Sequence, residues 1–195
     1  MWRELSLAAP ADAFDELIAR YTESHRYYHN ARHVADCLAK FDDARDLCEH
    51  PAEVELALWF HDAIYDTHAK DNEAQSASWA ARVLKDAGAA QTEMERVQEL
   101  IMATCHAATP ATRDACVLVD IDLSILGAAA ERFDAYELGV RAEYAWVPEI
   151  LFRATRRKIL GEFLQRPSIY STDNFKQKLE TNARANLARS LQALA

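Results

Sequence analysis

The chain has 195 residues, half of them apolar and about a quarter charged, with a formal net charge of −9. That length buries a sizeable core within one domain. An acidic balance with no Lys/Arg block argues against a nucleic-acid polymer as partner. No run approaches the roughly 18 apolar residues of a membrane span. The N-terminus lacks the apolar core of a signal peptide, so a cytoplasmic protein with no membrane partner is expected.

Four glycines and five prolines are few, and good helix formers are abundant, so long helices with short turns are expected. Residues 11–22 carry Phe14, Leu17, Ile18 and Tyr21 at helical spacing. Asn30 is placed to cap a helix from Ala31 to about Cys48. Pro51 suits a first helical position, and Val54, Leu58, His61 and Tyr65 recur every four residues after it. Further helices are expected over 72–87, with Gly88 closing the first, then 91–105, 114–126, 130–144, 148–165 and 173–194. The last has Phe175, Leu179, Ala183, Leu187 and Leu191 on one stripe, with Ser171, Thr172 or Asp173 as its N-cap. CVLVDIDLSIL is the single strand candidate and reads equally as a buried helix. The expected fold is therefore all-α, a single-domain helical bundle over 1–195, with C-terminal helices (130–194) packing on a motif-bearing core at about 25–125.

Cys37, Cys48, Cys105 and Cys116 form no C-x-x-C pair and sit in apolar helical patterns. They read as reduced, buried small hydrophobes, as a reducing compartment allows.

The histidines carry more information. HRYYHNARH, residues 25–33, holds three of the seven, four residues apart. WFHDAIYDT, residues 59–67, ends an apolar segment on an adjacent His61–Asp62 pair. Imidazole nitrogen and carboxylate oxygen both bind divalent first-row ions, but two ligands hold such an ion poorly. His33 is one candidate for a third. Asp122 and Asp120, in LVDIDLSILG, are others, because a carboxylate in an apolar segment is costly to bury unpaired. Two residues apart on a helix, those aspartates point about 200° apart, so only one faces an ion.

His33, then His61–Asp62, then Asp122 resembles the H…HD…D pattern of the HD superfamily of metal-dependent phosphohydrolases, over about residues 25–125. YHNARH, residues 28–33, looks like the YHN-x-x-H motif of its cyclic-nucleotide phosphodiesterase branch. The resemblance makes His29 a proton donor to the leaving oxygen and His33 a metal ligand. DLS at 122–124 resembles the segment of that branch that opens with the metal-binding aspartate, which favours Asp122. HDAIYDT is similar to HD-x-x-E-D-T of the alarmone hydrolase branch, whose acidic pair assists the nucleophilic water; Asp66 matches its second member and Tyr65 replaces the first. DNEAQSA, residues 71–77, and the RANL segment look like a group of predicted HD phosphohydrolases without an assigned substrate.

The resemblance implies an all-helical bundle and a metal-dependent phosphohydrolase. His33, His61, Asp62 and Asp122 would hold one divalent transition-metal ion: Mn, Fe, Co or Ni, with Mg also admissible. Asp66 would orient or deprotonate the water, which the metal acidifies, and His29 would protonate the leaving oxygen. The substrate would be a nucleotide or another small phosphorylated metabolite. Arg32, Lys70 or Arg156 can hold a phosphate. Glu73 reads as a first-turn helix charge or as part of the substrate site. His25 reads as a rim histidine, His50 as solvated, His68 as a loop histidine and His106 as a helix-end histidine. Two alternatives remain: an HD-type di-iron oxygenase drawing on His68 or His106, and a non-catalytic metal- or nucleotide-binding sensor. The apolar stripes of the C-terminal helices suit either a homodimer interface or the core.

Overall fold

The computed structural model describes residues 1–106 and 108–194. Among them the regular elements are all helical: α1 (Ala13–Tyr21), α2 (Ala31–Ala44), α3 (Pro51–Phe60), α4 (Asn72–Asp86), α5 (Gln91–Ala103), α6 (Arg113–Asp122), α7 (Ala130–Glu143), α8 (Glu149–Gln165) and α9 (Asp173–Ala193), with short 3₁₀ turns after α2 and α6. The fold is all-α, as the composition and periodicity led one to expect. The strand candidate is α6 followed by the 3₁₀ turn Leu123–Gly127. No described helix is both long and apolar enough to cross a membrane.

Local chemistry sets the helix ends. The Asn30 side chain accepts from the Arg32 backbone N–H at 3.0 Å and starts α2. The Thr172 hydroxyl accepts from the Phe175 backbone N–H, which starts α9. Gly88, at φ +85°, follows α4 in the left-handed region that suits a residue lacking Cβ. Several expected helices run shorter than their apolar spacing. α2 gives way to a 3₁₀ turn at Arg45. α5 stops at Ala103, which leaves Cys105 exposed in the turn beyond rather than buried. α3 stops at Phe60, so Tyr65 lies outside it.

The chain divides into two compact units. In the first, Met1–Ile121, α3 is buried almost all round, through Ala52, Val54, Leu56, Ala57, Leu58 and Phe60, and α2, α4 and α5 pack against it. A helix apolar on every side belongs at the centre of a core. Its one buried acid, Glu53, is held by both arms of Arg96 at 2.6 and 2.7 Å. In the second unit, from Asp122 onward, α9 packs against the 3₁₀ turn Leu123–Gly127 and against α8. The Asn186 amide donates to the Leu126 and Ala128 carbonyls at 2.9 Å each, and the Tyr170 hydroxyl to the Leu123 carbonyl at 3.2 Å. Gly127 is required there, since a Cβ would meet that of Leu179 at 2.6 Å.

Candidate metal centre

α3 delivers His61 and Asp62 to one point by stopping. His61 keeps helical dihedrals, and its backbone N–H still reaches the Ala57 carbonyl at 2.8 Å. Beyond it the chain turns, with the Ala63 N–H on the Phe60 carbonyl at 3.0 Å. The carbonyls of Asp62 and Ala63, which a longer helix would use internally, instead accept from Arg26. The turn brings the Asp62 carboxylate to within 3.1 Å of His61 Nε2, so the 100° separation of helical neighbours does not keep the two apart.

His33, in the first turn of α2, faces the same point. Its Nε2 lies 3.1 Å from His61 Nε2. Asp62 Oδ2 lies 3.1 Å from His61 Nε2 and 3.5 Å from His33 Nε2. Donors about 2.1 Å from one ion stand roughly 3.0 to 3.4 Å apart in octahedral or tetrahedral arrangement, so this triangle fits a common metal. Both imidazoles are buried.

The protonation pattern points the same way. His61 Nδ1 lies 2.9 Å from the Leu58 carbonyl, which only accepts, so Nδ1 carries the proton. His61 Nε2 then meets an Asp62 carboxylate oxygen at 3.1 Å, a contact that needs a proton or a cation between the two atoms. Burial alone would push the Asp62 carboxyl up; His61, His29 and His33 outweigh it and hold Asp62 below the usual carboxylate range.

Asp122, the last residue of α6, is grouped with His33 and His61, and Asp120 is not. Ligand atoms of His33, Cys37, His61 and Asp122 all lie within 4.8 Å of one another, and this set can hold a metal ion. Cys37 carries no signal in the sequence beyond its place four residues after His33. Its sulfur is 3.7 Å from His33 Nε2 and 3.8 Å from Nδ1. Near-equal distances put it to the side of the ring, off the lone-pair direction of either nitrogen. As placed it packs on the imidazole, outside the closer triangle of His33, His61 and Asp62.

His29 stands beside the triangle. It stacks on Tyr65, ring centroids 4.3 Å apart, rather than on a neighbouring tyrosine, and meets Tyr28 edge-on. The ring is half-buried and within electrostatic reach of Asp62. Tyr65 therefore supports His29, where the resembled motif has an acid.

The other candidates face solvent or make contacts of their own. Asp66 is exposed, and its Oδ1 accepts from the His68 backbone N–H at 2.8 Å, closing a turn. Arg32 and Lys70 are exposed. Glu73 sits in the first turn of α4, against the Cys105 thiol. Arg156 lies in the second unit, buried, with its guanidinium engaged by Glu137 and Tyr136. His25 is exposed and donates to the Tyr65 carbonyl at 3.0 Å. His68 is exposed. His106 follows α5 at φ +52°. His50 departs from the solvated expectation: its backbone N–H and Nδ1 both reach Asp114 Oδ2, at 2.9 and 3.0 Å.

One residue at the centre escapes motif reading altogether. Arg26, buried, ties the HRYYHN segment to the HD turn. Its only sequence signal is a charged residue inside an aromatic run. Comparison with protein-family models, with curated proteins and with solved structures found no match to this chain.

Proposed function

We propose that the chain is a metal-dependent phosphohydrolase of the HD type, acting on a nucleotide or another small phosphorylated metabolite in the cytoplasm. One observation supports the reading: His33 Nε2, His61 Nε2 and Asp62 Oδ2 lie 3.1 to 3.5 Å from one another, the separations that donors around one metal ion take. His33, His61, Asp62 and Asp122 are the proposed ligands, and their mixed nitrogen and oxygen donors suit Mn²⁺, Fe²⁺, Co²⁺ or Ni²⁺. Such an ion supplies Lewis acidity and a local positive charge that an acidic chain otherwise lacks.

The chain's own groups then divide the proton work. Asp66, through the oxygen not taken by the His68 amide, receives a proton from the attacking water. The water oxygen bonds to phosphorus, and the bond from phosphorus to the leaving oxygen breaks. His29, as imidazolium, gives its proton to that departing oxygen. Its half-exposed ring on Tyr65 can be reprotonated from solvent.

The test is phosphate release from mono-, di- and cyclic nucleotides and sugar phosphates, using metal-stripped protein reloaded with Mn²⁺, Co²⁺ or Ni²⁺. Asp62→Ala runs alongside, and metal per chain is counted. Turnover that disappears in the variant supports the reading. Metal retention through His61 with no turnover on any substrate would sink it, and two irons per chain would favour the oxygenase instead.

A further inference from the structure

We propose that Arg26 is the positioning residue of the metal centre: one guanidinium sets the separation between the His29 segment and the His61–Asp62 turn. This rests on the reading that the imidazole–carboxylate cluster binds a divalent ion. Arg26 Nη1 donates to the carbonyls of His29 at 3.0 Å and Asp62 at 2.6 Å. Nη2 donates to the Ala63 carbonyl at 3.0 Å, and Nε to the Glu23 carboxylate at 3.0 Å. The side chain is fully buried, and its guanidinium carbon lies 5.3 Å from the Tyr21 ring centroid and 5.5 Å from that of Tyr65.

Burying a guanidinium on three neutral carbonyls and one carboxylate costs more than packing an apolar side chain in the same space. The acceptors show what the charge achieves. Two of the three carbonyls belong to His29 and Asp62 themselves, and the third belongs to the next residue of the turn. Fixing those peptide planes from a single rigid fork fixes where both side chains start. The ring of Tyr65, against which His29 stacks, lies beside the same guanidinium. A lysine cannot substitute, because an ammonium presents a point charge instead of a planar fork of five donors.

The experiment is Co²⁺ binding to the full chain by competition with a chromophoric chelator, with the visible Co²⁺ spectrum and far-UV circular dichroism recorded together. Arg26→Lys should keep its helical signal, lose Co²⁺ affinity at least tenfold and shift the Co²⁺ bands. Arg26→Ala should regain affinity in millimolar methylguanidinium. Arg20→Ala, an exposed arginine that also bonds Glu23, should bind as wild type. Wild-type affinity and spectrum in Arg26→Lys, or an Arg26→Ala defect that methylguanidinium leaves untouched, would overturn the proposal. If neither Arg26 variant folds, Glu23→Gln decides: a loss of threefold or more is expected, and unchanged binding overturns it. A wild-type chain that binds no Co²⁺ overturns the metal reading itself, a result distinct from binding that ignores Arg26.

Discussion

Asp62 and His29 lie within electrostatic reach of each other and are proposed to do different things, so their variants should separate. Asp62→Ala removes a candidate ligand and should lower metal affinity by roughly a hundredfold or more, abolishing turnover with it. His29→Ala should leave metal affinity within about threefold while kcat falls by about 10² to 10⁴. Parallel Co²⁺ titration and phosphate-release assays check both. Cys37 supplies a sharper distinction. With its sulfur to the side of the His33 ring, the Co²⁺-loaded protein should lack an intense near-ultraviolet thiolate charge-transfer band, and Cys37→Ser should leave the spectrum unchanged. A strong band that vanishes in the variant would make the thiol a ligand. Cys48 responds to pH. Burial, and then the neighbouring Asp114 charge, push its thiol up to about 12, against about 8.5 in an unfolded chain. The fold favours the neutral form, so this contribution is complete below about pH 8.5 and is lost as the pH rises towards 12. Urea denaturation between pH 9 and 11 should show stability falling, and Cys48→Ala should flatten that slope.

At the scale of elements, the helices follow from period and caps, while their ends follow from what packs on them. α2 and α9 start where Asn30 and Thr172 lead one to expect, because an N-cap is a contact between near neighbours in the chain. The end of α3 is of another kind. The apolar spacing runs on to Tyr65, but the helix stops at Phe60, and Arg26, distant in sequence, takes the carbonyls of Asp62 and Ala63 beyond it. No periodicity records that. The same holds in the second unit, where Gly127 looks like an ordinary turn residue until α9 is laid across it. Gly127→Ala should destabilise the protein by about 1 to 3 kcal/mol through overpacking against Leu179 and Tyr170. A lowered urea midpoint at unchanged slope would show it. Gly161→Ala, where a Cβ meets nothing within 4 Å, is the control and should not destabilise.

For the whole molecule, metal binding and folding should be linked. An ion bound only by the folded chain at a hundred times its dissociation constant adds about 2.7 kcal/mol, a rise in Tm of roughly 5 to 10 °C for a chain of this size. Chelator should remove that rise, and Asp62→Ala should not show it.

The sequence by itself determined the helical class, most helix starts and the types of side chain that meet at the centre. These depend on spacing along the chain and on residue chemistry, which are local properties. His33 and His61 were legible because the chain has few histidines to offer, and Asp122 through the resemblance of its DLS segment to a known motif; all three fall in one group that can hold a metal ion. Tertiary structure alone decided the rest. It brought the Asp62 carboxylate to the His61 ring nitrogen, set the Cys37 sulfur beside an imidazole, stacked His29 on Tyr65, and occupied Arg156 with Glu137 and Tyr136. It also put a buried guanidinium between the two motifs. The physical reason is common to all of these. Each is a contact between segments whose separation depends on where a helix stops and what packs beside it, and neither is recorded in the period of a single helix.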